Sequence, residues 1–294
     1  MPTRATLALA AAVALGAASP RAAPGEAIPQ LVFDAPASLG AEVHRLERLD
    51  PARLQAVVRL VGIEVPGPPI RVVLAPEDSA VARNTPSWIP AFAAGEVIVI
   101  LPGRTLSYPH ETLEEVLQHE VAHVLVARAA VHRPVPRWFH EGVALLAERT
   151  WSLGERTRFA YELAAGSAVS PGELDALFQG DVASVERAYS LSNAFVRDLV
   201  GTYGPDLPAR VLRAMKAGRD FDAAFVQATG VTVNDASRAY WRRHRLWLVW
   251  LPWLTSPQAI YTLMTALALL AIWRVRVRRA ARRLAEEPDD PDSA

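Results

Sequence analysis

The sequence predicts an α+β fold with a small N-terminal β-sheet, a helical C-terminal half and a single C-terminal transmembrane helix. Two short runs rich in β-branched residues, Ile70–Leu74 and Glu96–Leu101, are typical of strands. After Ser170, apolar residues recur at helical spacing, and glycines follow the ends of several segments. Near the C-terminus, 246–273 is a stretch of 28 residues without a charge. This stretch is longer than the ~20 apolar residues that a helix needs to cross a bilayer.

The two ends of the chain predict its domain organisation. The N-terminal end has a basic start, a short apolar run and then small residues and prolines, so we expect 1–23 to be a signal peptide. An exported domain then covers 25–245, and 246–273 forms a membrane-interface segment and a transmembrane helix. The tail, 274–294, is first basic and then acidic. Its arginines mark a cytoplasmic flank: Arg274, Arg276, Arg278, Arg279, Arg282 and Arg283.

This organisation predicts a single-pass membrane protein whose folded domain lies outside the cytoplasm, in the periplasm or the extracellular space. The lipid bilayer is one predicted partner, through the C-terminal helix. The composition excludes several function classes. Lys and Arg together number 31, as do Asp and Glu, and this balance lacks the basic excess of a nucleic-acid binder. Cysteine is absent, so a metal ion has to be held by histidine and carboxylate.

In the exported domain, helical spacing of apolar residues covers 37–62, and Asp50-Pro51 restarts the helix. The first strand follows, and 75–90 is interpreted as a loop before the second strand. A long helix is predicted over Thr112–Ala130, because Thr112 and Glu115 match a capping box. Prolines then interrupt the chain before the remaining predicted helices, which are 137–150, 184–203, 207–217, 221–229 and one that starts at Asn234.

The candidate catalytic and metal-ligating residues lie in the long helix, where residues 119–123 read H-E-V-A-H. On a helix, His119 and His123 share one face, one turn apart, and can bind one Zn²⁺ at about 2.0–2.1 Å. Glu120 is rotated by roughly 100° and reaches a metal-bound water rather than the ion. Zinc lowers the pKa of such a water to about 7, so that a carboxylate can take its proton.

A catalytic zinc site needs a third protein ligand, and the next helix offers two candidates, His140 and Glu141. The spacing alone does not separate them. Here the sequence resembles the gluzincin metallopeptidases, particularly the bacterial peptidase MA-like family, whose members carry H-E-x-x-H and then a W-x-x-E-G helix. The chain has W-F-H-E-G at 138–142, with 17 residues between His123 and Glu141.

The resemblance covers about residues 70–245, including the strand before the motif helix and the later helix that contains A-Y-S-L-S at 188–192. It implies a zincin-like fold with Glu141 as the third ligand of one Zn²⁺ ion. It also implies that Tyr189 donates a hydrogen bond to the oxyanion, although a tyrosine near the start of an apolar helix is more often a core residue.

Weaker interpretations concern residues around the motif. The strand Glu96–Leu101 can either lie inside the sheet or bind an extended peptide. Glu148, seven residues after Glu141, lies on the same helix face and can either orient a ligand histidine or be a solvated charge. His110 and His132 are interpreted as loop residues.

The sequence thus predicts a membrane-anchored zinc metallopeptidase that hydrolyses peptide bonds with a metal-activated water and Glu120 as the general base. Its predicted partner is a peptide or protein substrate in the cell envelope. One alternative is a non-catalytic, metallopeptidase-like module that binds an envelope partner, although such a module does not need Glu120. The other is a zinc amidase that acts on cell-wall cross-links.

Overall fold

The computed structural model describes residues 28–104, 110–148, 168–254 and 256–285, with only the backbone described for 245–254 and 280–285. The predicted signal peptide therefore lies outside the described residues. The elements, in chain order, are β1 (Leu31–Asp34), a 3₁₀ turn (Ala37–Leu39), α1 (Gly40–Glu47), α2 (Pro51–Val61), β2 (Ile70–Leu74), α3 (Ala80–Asn84), β3 (Ala91–Ala94), β4 (Val97–Ile100), α4 (Leu113–Ala129), α5 (Arg137–Glu148), α6 (Pro171–Leu177), α7 (Val182–Tyr203), α8 (Leu207–Lys216), α9 (Phe221–Thr229), α10 (Val233–Leu254) and α11 (Pro257–Ala285).

The four strands form one sheet in the order β1-β2-β4-β3, which confirms the predicted α+β class. The first three strands in this order are parallel, and β3 pairs with β4 in the antiparallel sense. Strands β2 and β4 are apolar, and their residues Ile70, Val72, Ile98 and Ile100 are fully buried. Their burial places the core between the sheet and helices α2 and α4.

Helix α3 lies in the segment that was interpreted as a loop, and strand β3 lies between that segment and the second predicted strand. The sequence A-F-A-A of β3 carries only one residue with high strand propensity, so its pairing with β4 rather than its own propensity makes it a strand. Helix α3 has five residues, too few to show a helical period, although Ser79 caps it through its side chain.

Helix α4 begins as predicted, because Thr112 and Glu115 form the capping box from both directions. The helix is buried on almost every side, since the sheet, α2 and α5 all pack against it. Leu117, Val121 and Leu125 are fully buried, and so is most of the motif between them. This burial places the motif helix in the centre of the domain.

Helix α5 packs against α4 on one side and against α7 on the other. Trp138 and Phe139 anchor it in an aromatic cluster, where the Trp138 ring centroid lies 5.0 Å from that of Phe195. Gly142 is the closest point between α5 and α7. A Cβ atom at this position would lie 2.7 Å from the carbonyl oxygen of Ser192 and would overlap the side chain of Val196. Because glycine has only a hydrogen atom in place of a side chain, it permits this close contact between the two helices.

The last two helices contain the uncharged stretch. Residues 246–254 lie in the last part of helix α10, and 257–273 lie in α11. Within the described residues, 257–279 is the one segment long and apolar enough to cross a membrane, with a mean hydropathy of 1.5 over its best window. None of the residues in that window is buried by the described part of the chain. This helix is compatible with single-pass anchoring.

Candidate metal centre

Helix α4 presents the two histidines of the motif to a cleft between α4, α5, α7 and strand β3. His119 and His123 are one turn apart, and their ring centroids lie 4.5 Å apart in an edge-on arrangement. The side chains are 2% and 13% exposed, so both imidazoles are largely removed from bulk water. Glu120 is also buried and lines the same cleft, which has a volume of about 500 Å³.

Helix α5 brings a carboxylate to these imidazoles. Oε2 of Glu141 lies 3.3 Å from Nε2 of His119 and 3.3 Å from Nε2 of His123. Four ligands at 2.0–2.1 Å around a tetrahedral ion are about 3.3 Å apart, so these separations match the edges of a zinc tetrahedron. Together the three donor atoms form a group that fits a metal ion.

The same group shifts the pKa values of its members. Burial disfavours the ionised form of Glu141, but the charge of His123 and the hydrogen bonds from both histidines outweigh burial and hold its pKa well below the usual range. Burial also disfavours the imidazolium of His119. The Glu141 and Glu148 carboxylates outweigh burial here too and raise the pKa of His119 to about 10. Both shifts favour a carboxylate at the centre of the group.

Glu148 is buried and lies behind His119, so the interpretation of this residue as a solvated charge was wrong. Its Oε2 atom lies 3.5 Å from Nδ1 of His119 and 3.2 Å from Nδ1 of His110. Burial disfavours its carboxylate, but His110 and His119 outweigh burial and lower the pKa of Glu148 to about 2. His110, in turn, has no place in a helix or strand but is buried at the wall of the cleft, and burial lowers its pKa.

His140, the alternative to Glu141, packs against His123 but supplies none of the three donor atoms. Its ring stacks on that of His123 with a centroid distance of 4.5 Å and an interplanar angle of 14°. Burial, together with the neighbouring His123, lowers the pKa of His140 to about 3. A neutral ring stacked in this way fixes the position of the His123 ring.

Tyr189 and Arg137 form the opposite wall of the cleft. Tyr189 lies in the first half of α7, with its ring edge-on to Phe178, and its hydroxyl interacts with Arg137. Burial and the charge of Glu141 raise the pKa of Tyr189, so the hydroxyl keeps its proton and can donate a hydrogen bond. The guanidinium of Arg137 lies 4.6 Å from the ring centroid of Phe178, and its Nε is 3.5 Å from Oε1 of Glu141.

Strand β4 does not border the cleft as an edge, because it is paired with β2 on one side and β3 on the other. The expectation that the strand Glu96–Leu101 binds an extended peptide is therefore wrong. Strand β3 is at one edge of the sheet among the described residues, and Ala91, Phe92 and Ala93 line the cleft. An edge strand beside a cleft offers backbone groups to an extended chain.

Three contributors to this site were not predicted from the sequence: His110, Arg137 and strand β3. His110 comes two residues before the N-cap of α4, where no periodicity fixes the direction of a side chain. Arg137 did have a signal, since it precedes Glu141 by one helical turn and so shares its face.

A small sheet, a buried motif helix and a second helix that adds a carboxylate to two histidines define a metallopeptidase-like domain. The family model of the Peptidase MA superfamily matches residues 83–245, more than half of the chain. The chain therefore belongs to the Peptidase MA superfamily. No curated protein and no solved structure matches it.

Proposed function

We propose that the chain is a membrane-anchored, zinc-dependent metallopeptidase. The observation that carries the proposal is the convergence of Nε2 of His119, Nε2 of His123 and Oε2 of Glu141 in one cleft, with Glu120 beside them. Two imidazoles and one carboxylate are a typical ligand set of catalytic zinc, with one position open for solvent or substrate.

A bound Zn²⁺ ion would supply Lewis acidity, which activates water and polarises the peptide carbonyl. The chain supplies the rest. Glu120, which follows His119 and lines the cleft, takes a proton from the attacking water and passes it to the leaving amine. Backbone groups of β3 hold the peptide extended at the rim. Oε2 of Glu148 lies 3.5 Å from Nδ1 of His119, close enough to accept a hydrogen bond from Nδ1–H and so leave Nε2 as the nitrogen that would hold the ion.

We further propose that export and the C-terminal helix place this domain on the outer face of a membrane. The uncharged segment 257–273 and the arginines after it support this orientation. Substrates are then peptides or proteins of the cell envelope. Cell-wall cross-links are the alternative substrate class, but β3, which lies at an edge of the sheet among the described strands, favours an extended peptide.

Metal dependence tests the proposed function directly. Full-length protein purified in detergent is expected to contain about one zinc ion per chain, because one group of three ligands fits one ion. Removal of zinc by a chelator should abolish hydrolysis of a peptide library, and added zinc should restore it. A folded protein that binds no zinc would instead support a non-catalytic binding module. Hydrolysis of cell-wall fragments but not of peptides would support the amidase.

Tyr189 is proposed to stabilise the oxyanion, because its protonated hydroxyl faces the cleft opposite the three ligands. Tyr189→Phe is expected to lower kcat by about 10²-fold, the low end for loss of an oxyanion donor, with little change in KM. Tyr203→Phe, at the far end of the same helix, serves as the matched control. A Tyr189→Phe enzyme with the kcat of the wild type would show that this tyrosine only packs against Phe178.

A further inference from the structure

Behind the proposed metal site lies a second layer of polar side chains that faces away from the cleft ligands. His110, His119 and Glu148 meet there, and their side chains are 8%, 2% and 0% exposed. The rings of His110 and His119 are edge-on, with centroids 4.5 Å apart. All three groups are therefore shielded from bulk water. At such a buried position, a lost hydrogen bond is costly.

His119 uses its two ring nitrogens on opposite sides. Nε2 faces Oε2 of Glu141, and Nδ1 faces Oε2 of Glu148 at 3.5 Å. An imidazole that binds a metal through Nε2 carries its proton on Nδ1, so the Glu148 carboxylate is placed to accept that proton. The position of one carboxylate oxygen thus determines how well His119 can serve as a ligand.

Glu148 lies on α5, seven residues after Glu141, and its side chain is buried. Nδ1 of His110 lies 3.2 Å from the same Oε2 atom that faces His119. His110 reaches this point from the segment before α4, two residues ahead of the Thr112 cap. It therefore links the start of the motif helix to helix α5, which carries Glu141.

We propose that His110 is a positioning residue for the metal ligand His119 and acts through Glu148. Its Nδ1–H holds Oε2 of Glu148 in the place where that oxygen accepts the Nδ1–H of His119. This inference rests on the proposed function, because it takes His119 as a zinc ligand. It adds a residue that is not one of the three proposed ligands but sets the affinity for the ion.

The alternative is that the same three side chains bind a second metal ion, since the donor atoms of His110, His119 and Glu148 lie within 4.8 Å of one another. A second ion would need Nδ1 of His119 while Nε2 holds the first ion. The imidazole would then have to give up both ring protons, whereas the hydrogen-bonded arrangement needs only one to leave. The hydrogen-bonded arrangement is therefore favoured, and the number of ions per chain tests it.

The test compares three substitutions of His110 in the full-length protein. The amide nitrogen of asparagine reaches the place of Nδ1, whereas that of glutamine reaches the place of Nε2. His110→Ala and His110→Gln are expected to raise the zinc dissociation constant by about tenfold, the low end for loss of such a partner. His110→Asn should recover most of that loss. His44→Ala, an exposed histidine on α1, is the matched control.

A second set of variants tests the route through Glu148. If His110 acts only by holding this carboxylate, His110→Ala should weaken zinc binding no further in a Glu148→Gln background. Zinc affinity is measured by competition with a chelator, and Tm reports whether each variant folds. Equal affinities for wild type and a folded His110→Ala protein would overturn the inference, as would two ions per wild-type chain. A wild-type protein that binds no zinc would overturn the proposed function as well.

Discussion

Replacement of Glu120 by glutamine is expected to lower kcat for peptide hydrolysis by about 10²–10⁴-fold, the contribution of a well-placed general base. Glutamine keeps the size of the side chain but has no lone pair basic enough to take a proton from water. Glu120 lies beside His119 at the cleft, is 6% exposed, and its Oε2 has no hydrogen-bond partner among the described residues. One carboxylate oxygen is thus available for the reaction rather than for packing.

The zinc content of the Glu120→Gln protein should remain that of the wild type, because Glu120 is not one of the three donor groups. This combination separates loss of chemistry from loss of the ion. Glu114→Gln is a matched control on the same helix, since Glu114 is paired with Arg45 at the surface, where such a pair contributes about 0–1 kcal/mol. Unchanged hydrolysis by Glu120→Gln would refute the assignment of the base.

Replacement of Glu141 by alanine should have an equally large effect by a different route. Its carboxylate is the only donor that reaches Nε2 of both His119 and His123 among the described residues. Without it, two imidazoles on one helix remain, and they do not complete a zinc site. We expect the zinc affinity to fall by more than the ~10–100-fold that loss of a hydrogen-bond partner of a ligand costs, and peptide hydrolysis to fall with it.

His140→Ala is the informative comparison, because His140 and Glu141 are neighbours and both were candidates for the third ligand. The stacked ring of His140 supports His123 but offers no donor atom to the group. Its loss should leave the zinc content near one ion per chain. If His140→Ala instead loses zinc while Glu141→Ala retains it, the proposed ligand set is wrong. Both variants are assayed by metal analysis of folded protein, with circular dichroism as the check on folding.

The motif helix could be predicted because its signals are local. Its cap depends on Thr112 and Glu115, three residues apart, and the spacing of the two histidines fixes their common face. The choice of Glu141 as the third ligand came from the family resemblance, because the spacing alone did not separate it from His140. The metal-ligand roles of these residues stay predictions, although the structure brings their donor atoms together.

The remaining parts of the site depend on long-range pairing, which short windows do not reveal. Strand β3 depends on its antiparallel pairing with β4. Its short apolar sequence has no alternation of polar and apolar residues that would predict a strand. His110 stands outside any helix or strand, and its neighbour Glu148 is 38 residues away along the chain. A buried charge such as Glu148 is also rare enough that solvent exposure was the natural expectation.

The contact at Gly142 has a consequence for how the ligand set is assembled. Because Gly142 brings α5 close to the backbone of α7 next to Glu141, this carboxylate sits on a helix that is packed tightly against its neighbour. The donor atoms are therefore preorganised, with tetrahedral separations already present in the protein alone. Binding of the ion then demands little loss of conformational entropy, and more of the coordination energy remains as affinity.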